Sequence, residues 1–388
     1  MIIEPKVRGF ICTTTHPQGC QKNVENEVDF FKKAGSIPSS VKKVLILGGS
    51  TGYGLSSRIA ATWSFGAATL NISLEREPTE SRIASPGWYN TKTLETMAQN
   101  EGFYAQSIFK DGFLEETKKE AVEKIKKDLG KIDMLIYSIA AARRFDEKEN
   151  KQYQSVLKPI GKTVKAKSVH WKTKELSEIT LEPATKEEIE ATVKVMGGED
   201  WSLWVETLKK NDLLSENFIT IAYSYVGPAI TQDIYRNGTI GEAKKDLEKT
   251  ASKLNDLLKP NGHAYVAVNK AIVTQASAAI PIIPLYLSLL FRVMKKKGLH
   301  EDSPQQINRL FREKLFSNDV AKNDQIIRVD DWEMRSDVQE EVSKLWNEVN
   351  QENLLNISDI ELYGKEFLKL FGFEVENVDY RKETTTFL

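Results

Sequence analysis

The sequence predicts an α/β fold built on a parallel sheet with helices on both faces, and three observations carry that expectation. An apolar run, Val44-Leu45-Ile46-Leu47, feeds directly into the glycine-rich turn Gly48-Gly49-Ser50-Thr51-Gly52-Tyr53-Gly54. Apolar runs then alternate with amphipathic stretches as far as about Arg143, and the same alternation resumes near Phe218. Alternating strand and helix units imply parallel pairing with right-handed crossovers.

Each element follows from its pattern. After the strand ending at Leu47, a helix is expected from about Leu55 to Phe65 and a second strand from Ala67 to Leu74. A helix from about Thr91 to Glu101, a strand from Phe103 to Phe109, a helix from Leu114 to Leu129 and a strand from Ile132 to Ile139 come next. That fourth strand is expected beside the first, with its end at Ile139 and Ala140 near a ligand, because ligands collect at the carboxyl ends of such sheets. Between about Arg143 and Asp200 the rhythm breaks, and Lys158 to Trp171 alternates polar and apolar residues between turn residues, which predicts a small β-hairpin insertion. Its lysines read as a solvated face or as contacts for the phosphates of a carrier, and His170 reads as structural. The pattern returns with strand Phe218 to Tyr225, helix Ile240 to Leu257 and strand Ala264 to Asn269. After Gly298 the chain is expected to be mainly helical, apart from a short strand around Ile326 to Val329. The whole reads as one enlarged Rossmann-type doubly wound parallel sheet over residues 1–388, with an insertion at about 143–200, a loop and helix at 272–297 and helical additions at 299–388.

Composition narrows the function. Charged residues make up 28% with a net charge of −1, which leaves no electrostatic footprint for nucleic acid or an anionic membrane. Cys12 and Cys20 bracket His16, but three ligands without a fourth make a poor metal centre, so two reduced thiols and no metal are expected. The apolar stretch from Ile272 to Phe291 contains Pro281 and Pro284 and barely reaches the roughly 20 residues that cross a bilayer. It is expected to be a buried loop and helix lining an apolar pocket, with walls that suit an acyl chain. The first residues, Met1 to Lys6, lack the basic start and long apolar run of a secretory signal, and a cytoplasmic enzyme is expected.

The glycine turn carries chemistry of its own. Gly48, Gly52 and Gly54 fall as G-x-x-x-G-x-G, a spacing closer to short-chain dehydrogenases than to the G-x-G-x-x-G of larger two-domain enzymes. Without a Cβ the backbone turns sharply and approaches a pyrophosphate, while the N–H groups opening the next helix point at the anion. A plain tight turn is the alternative. Glu75 ends the second strand about 20 residues past the glycines, where a carboxylate accepts from the adenosine ribose hydroxyls. Glu75 repels a 2′-phosphate and favours NADH over NADPH, whereas Arg76 beside it is able to bind that phosphate.

The reacting residues are expected after the fifth strand. Short-chain dehydrogenases pair Tyr and Lys four residues apart on one helical face, but here Tyr235 and Lys244 are nine apart. On a continuous helix nine residues turn through about 900°, which puts the pair on opposite faces. Asn237-Gly238 supplies a turn, and Thr239-Ile240-Gly241-Glu242 fits a capping box that starts a new helix at Ile240. Tyr235 then comes from the segment before the helix and Lys244 from its second turn, so the two can meet at a nicotinamide.

With these residues in place, the chain resembles the FabV-type enoyl-acyl-carrier-protein reductases and the trans-2-enoyl-CoA reductases, enlarged relatives of short-chain dehydrogenases. The likeness runs over nearly the whole length. It includes His16-Pro17-Gln18-Gly19-Cys20, the glycine turn, Pro86-Gly87-Trp88-Tyr89-Asn90 and Val195-Met196-Gly197-Gly198-Glu199-Asp200-Trp201. It continues through Tyr223-Ser224-Tyr225-Val226-Gly227-Pro228, the Tyr235 and Lys244 pair, and Val273-Thr274-Gln275-Ala276-Ser277 leading into Ile280-Pro281. Gly49 departs from it, since Ala or Cys often stands there. The resemblance implies NADH-dependent reduction of the 2,3-double bond of a trans-2-enoyl thioester, carried on acyl-carrier protein or coenzyme A. It further implies that Tyr235 serves the thioester oxygen, that Tyr225 helps hold the thioester carbonyl, and that a nearby cation tunes the Tyr235 phenol. The implied cofactor contacts are Gly48, Gly49, Ser50, Thr51, Gly52, Tyr53, Leu74, Glu75, Asp111, Gly112, Ile139, Ala140, Lys244, Val273, Thr274 and Gln275.

Two rivals stand beside this reading. A ketoreductase or alcohol dehydrogenase of the short-chain class acts on C=O, and the nine-residue spacing and long insertion speak against it. A non-catalytic NADH-binding sensor has no use for Tyr235 and Lys244. A monomer is expected, because the added segments cover surfaces that smaller relatives use to form tetramers.

Overall fold

The computed structural model describes residues 2–317 and 325–387. Seven strands form one parallel sheet among them: β1 Lys43–Leu47, β2 Ala68–Ile72, β3 Ala105–Ile108, β4 Ile132–Tyr137, β5 Leu214–Ser224, β6 His263–Val268 and β7 Ile326–Arg328. Their order is β3-β2-β1-β4-β5-β6-β7. The chain therefore builds outward from β1 to one edge, returns to β4 on the other side of β1, and grows to the opposite edge. Crossovers leave β1 and β4 in opposite directions, and this reversal opens a crevice at their carboxyl ends.

Strand alternation divides the core in two. Val44 and Ile46 of β1 pack with Val24, Phe31, Ile59 and Leu94 on one face, whereas Leu45 and Leu47 pack with Ile125, Trp204 and Leu254 on the other. Burial on both faces explains why residues 44–47 of β1 and 134–137 of β4 read as unbroken apolar runs. Helices Pro17–Ala34, Gly52–Trp63 and Pro86–Asn100 cover the first face, and Glu115–Asp128, Glu199–Lys210 and Thr239–Leu258 cover the second.

The expected strands and most helices are present within a few residues of their expected bounds. Helix Pro17–Ala34 was not anticipated. Its N-cap is His16, whose Nδ1 accepts a hydrogen bond from Gly19 N at 3.2 Å and whose ring meets the edge of Tyr380 at 4.8 Å. The insertion holds two antiparallel hairpins rather than one: Arg143–Asp146 with Lys151–Gln154, and Val164–His170 with Glu175–Leu181. The expected hairpin segment supplies one strand of the second, and His170 Nδ1 accepts from Thr173 N in the turn between them. Its lysines are engaged by the protein. Lys158 pairs with Glu188, Lys162 with Asp233 and Lys165 with Glu178, while Lys167 Nζ donates to the carbonyls of Trp346, Asn347 and Val349 at the end of a helix.

The capping box expected at Thr239 is not formed. The helix begins one residue earlier, with Gly238 as N-cap, and the Thr239 hydroxyl instead donates to the Val156 carbonyl. Lys158 N in turn donates to the Thr239 oxygen, so the residue ties the insertion to the helix instead of capping it. The turn through Asp233–Asn237 still separates Tyr235 from the helix, as the spacing requires.

Helix Ile283–Lys296 forms the centre of a third core. Pro284 sits in its first turn, where a missing N–H disrupts no ladder bond. Ile283, Leu285, Leu287, Leu289 and Leu290 are all buried, because helices Ser336–Glu348 and Ile360–Lys369 and the second hairpin close around them. No helix among the described residues is long and apolar enough to cross a membrane. Leu289→Ala removes a fully buried side chain and is expected to cost about 2–5 kcal/mol, read as a lowered denaturation midpoint. A loss below about 0.5 kcal/mol, the scale of a surface change, would contradict this placement.

Candidate active site

The residues expected to bind the cofactor follow the carboxyl ends of β1 to β4 and β6, and contacts join them. Gly48 has φ +83°, and a Cβ there would lie 2.6 Å from the Ser138 carbonyl oxygen just beyond β4. A Cβ on Gly54 would lie 2.1 Å from the Gly48 carbonyl oxygen. Neither position accepts a side chain without moving backbone, so the first turn of helix Gly52–Trp63 is drawn tightly onto the strand ends. Its N-cap Thr51 makes no side-chain capping bond, which leaves the opening N–H groups available to an anion. A Cβ on Gly112 would touch Ile139, and one on Gly52 would touch Thr274. Loops after β3, β4 and β6 thus close around the turn.

Glu75 lies deeper than a free ribose-binding acid. Its carboxylate accepts from Ser50 Oγ at 2.5 Å and from Ser85 Oγ, and it fills the space beside Gly87. Burial raises its pKa, and the two serine hydrogen bonds oppose that shift. Asp111 Oδ1 accepts from Phe113 N at 2.9 Å, as a strand-end acid holding its own turn. Beneath that turn, buried Lys118 pairs with Asp200 at 3.0 Å and donates to the Phe113 carbonyl, while Trp204 Nε1 donates to the Gly112 carbonyl. Asp200 and Trp204 thereby support the loop after β3. Gly49 N donates to Asn71 Oδ1 at 2.8 Å, and an added Cβ at Gly49 would press on that amide. An Ala or Cys at position 49 therefore requires the Asn71 side chain to shift.

The residues expected to react lie in the segment after β5 and on the helix that follows. Tyr225 and Tyr235 meet edge to face, with centroids 4.8 Å apart at 82°. The Tyr235 hydroxyl has no protein partner among the described residues, although the side chain is buried. Burial, reinforced by the charge of Glu333, pushes the Tyr235 pKa up. The expected tuning by a cation is therefore not what dominates, and the phenol stays protonated. Lys244 Nζ donates to the Tyr223 carbonyl at 3.3 Å, and burial lowers its pKa to about 8, against the opposing charge of Glu248. The Tyr53 hydroxyl donates to the Lys270 carbonyl, which fixes the glycine turn to the loop after β6.

Sequence reasoning missed Glu333, Tyr286 and Lys270. Glu333 accepts hydrogen bonds from the Tyr225 and Tyr286 hydroxyls and from Ala271 N. Glu333 follows two aspartates in the acidic stretch Asp330-Asp331-Trp332-Glu333, which carries no local mark of a site, and only the fold brings it against Tyr225.

Comparison with known proteins agrees with this geometry. Residues 82–316 match the family described as trans-2-enoyl-CoA reductase catalytic region, and residues 2–80 match the NAD(P)H binding domain of trans-2-enoyl-CoA reductase. Residues 322–384 match a family described as enoyl reductase FAD binding domain. The chain is 52% identical over 385 residues to the trans-2-enoyl-CoA reductase [NADH] of Ruminiclostridium cellulolyticum, covering 99% of this chain and 97% of that one. It is 50% identical over 387 residues to the enoyl-[acyl-carrier-protein] reductase [NADH] of Flavobacterium johnsoniae, covering 99% and 98%. A solved structure of the Clostridium acetobutulicum trans-2-enoyl-CoA reductase in complex with NADH superimposes with a TM-score of 0.96 at 42% identity, over 100% of this chain and 98% of that one.

The glycine turn fits a nicotinamide dinucleotide, since its two closest approaches exclude side chains and its helix start is uncapped. The segment matched to a flavin-binding family does not fit a flavin dinucleotide. Its two glycines, Gly364 and Gly372, are packing contacts against the Trp171 ring and the His16 backbone, and β7 runs on into Val329-Asp330-Asp331-Trp332 without a glycine turn. The apolar faces of its helices are closed against helix Ile283–Lys296.

Lys244 is cationic below about pH 8 and neutral above it. NADH binding is therefore expected to weaken as pH rises through 8, by up to about tenfold per unit, while Tyr235 remains protonated. In Lys244→Met this pH-dependent limb should vanish and binding should be weak throughout; an unchanged affinity and pH profile would make Lys244 a bystander.

Proposed function

The chain belongs to the trans-2-enoyl-CoA reductase family: it is an NADH-dependent oxidoreductase that reduces the 2,3-double bond of trans-2-enoyl thioesters, the last step of fatty-acid elongation, and we propose how its residues divide that work. NADH, when bound, supplies the hydride that goes to C3 of the enoyl group. Charge then moves through the conjugated system onto the thioester oxygen as an enolate. Tyr235 donates its proton, or a hydrogen bond, to that oxygen; its raised pKa keeps the phenol neutral until negative charge develops beside it. Lys244 holds the cofactor hydroxyls or phosphate from the first turns of its helix, with one N–H anchored on the Tyr223 carbonyl. Tyr225, against the Tyr235 ring, forms the wall that helps hold the thioester carbonyl. Gly48 to Tyr53, Leu74, Glu75, Asp111, Gly112, Ile139, Ala140 and Val273 to Gln275 line the cofactor side.

The observation that carries this assignment is Tyr235, a buried side chain set edge to face on Tyr225 at the sheet's carboxyl ends, whose hydroxyl makes no hydrogen bond to protein among the described residues. The apolar loop and helix from Ile272 to Leu290 supply an acyl-binding wall, with the exposed Ala276 at its mouth. Glu75, half-buried and hydrogen-bonded to Ser50 and Ser85 just past β2, favours NADH over NADPH. A monomer in the cytoplasm is the proposed working form, and sedimentation at the mass of one 43.9 kDa chain tests the first part.

Tyr235→Phe is expected to lower kcat on crotonyl-CoA or a longer trans-2-enoyl thioester by about 100-fold or more while NADH affinity holds. Unaltered turnover would remove Tyr235 from the mechanism. Turnover of a 3-ketoacyl thioester in preference to the enoyl thioester would favour a ketoreductase.

A further inference from the structure

Glu333 joins three parts of the site through one carboxylate. Oε1 accepts from the Tyr225 hydroxyl at 2.9 Å and the Tyr286 hydroxyl at 2.6 Å, and Oε2 accepts from Ala271 N at 2.7 Å. Tyr225 directly follows β5, Ala271 lies in the loop that reaches the glycine turn, and Tyr286 lies on the apolar helix. The residue is fully buried, and Gln339 Nε2 holds its main-chain carbonyl at 2.7 Å. Lys270, also buried, is the cation that most opposes the burial cost of the carboxylate.

A phenol has one proton. Tyr225 gives its proton to Glu333, so toward substrate its oxygen offers lone pairs only. Tyr235, edge to face against it, has a hydroxyl free of protein partners among the described residues. We propose that Glu333 is a positioning residue for enoyl reduction: it turns the Tyr225 proton away from the thioester and fixes that ring as a wall, leaving Tyr235, of the two phenols, as the one that serves the substrate oxygen. The inference rests on the enoyl-reductase reading above.

The experiment compares wild type, Glu333→Gln, Tyr225→Phe, Tyr235→Phe and the Glu333→Gln/Tyr225→Phe double variant. It reads kcat and KM for a trans-2-enoyl-CoA, NADH affinity by fluorescence, and folding by circular dichroism. Glu333→Gln and Tyr225→Phe should each lower kcat/KM about tenfold with NADH affinity within about twofold, and the double variant should lose little more than either. Losses that multiply in the double variant, or a Glu333→Gln enzyme with wild-type kinetics, would overturn the proposal. Should Glu333→Gln fail to fold, Tyr225→Phe decides: a kcat loss as deep as that of Tyr235→Phe means that Tyr225 donates to substrate and the proposal is wrong. A well-folded wild-type protein that binds NADH without reducing enoyl thioesters would instead defeat the functional reading itself.

Discussion

The close approach of the first sheet helix to the ends of β1 and β4 is the constraint on which the site depends. Gly54 comes so near the Gly48 carbonyl, and Gly48 so near that of Ser138, that any side chain would push backbone apart. The uncapped N–H groups are thereby set at the topological switch point, where the sheet's two halves diverge. Several residues expected to bind the cofactor are tied to that turn: Glu75 through Ser50, Ile139 beside Gly48, and Thr274 beside Gly52. Since the helix and both strands are buried on two faces, the turn has little freedom to relax.

Around this centre, buried charges hold the loops in place. Lys118 and Asp200 secure the loop after β3 from below, and Glu333 secures the loop after β6. Breaking such pairs one partner at a time leaves an uncompensated buried charge, which costs far more than the pair contributes. The charges therefore fix geometry more than they add stability. Tyr235 and Lys244 are tuned in opposite senses by the same physical cause. Burial raises the Tyr235 phenol and lowers the Lys244 ammonium, so one stays a proton donor while the other lies close to losing its charge near neutrality.

The doubly wound sheet was legible because its strands are apolar on both faces and its glycine turn is sterically unambiguous. The Tyr235 and Lys244 separation was legible because nine residues cannot converge on one helix, and the structure supplies the break. Thr239 misled because a cap needs its Oγ to accept from a helix N–H, whereas here the hydroxyl donates to the Val156 carbonyl and its oxygen accepts from Lys158 N. The partner strand of the expected hairpin escaped notice because Glu175–Leu181 is mostly exposed and carries little apolar signal, and the short hairpin Arg143–Asp146 with Lys151–Gln154 escaped because it too carries little apolar signal. Helix Pro17–Ala34 escaped because its cap is a histidine, a residue type outside the usual N-cap set. Glu333 was invisible for a different reason: nothing local marks an acid whose three donors come from residues 47 to 108 positions away in the chain.

The most direct test of the central claim follows the hydride itself. NADH deuterated at the transferred C4 position, incubated with crotonyl-CoA and this protein, should give butyryl-CoA with deuterium at C3 and a solvent proton at C2, read by nuclear magnetic resonance. Deuterium at C2, or NADH consumed with the double bond intact, would contradict the account.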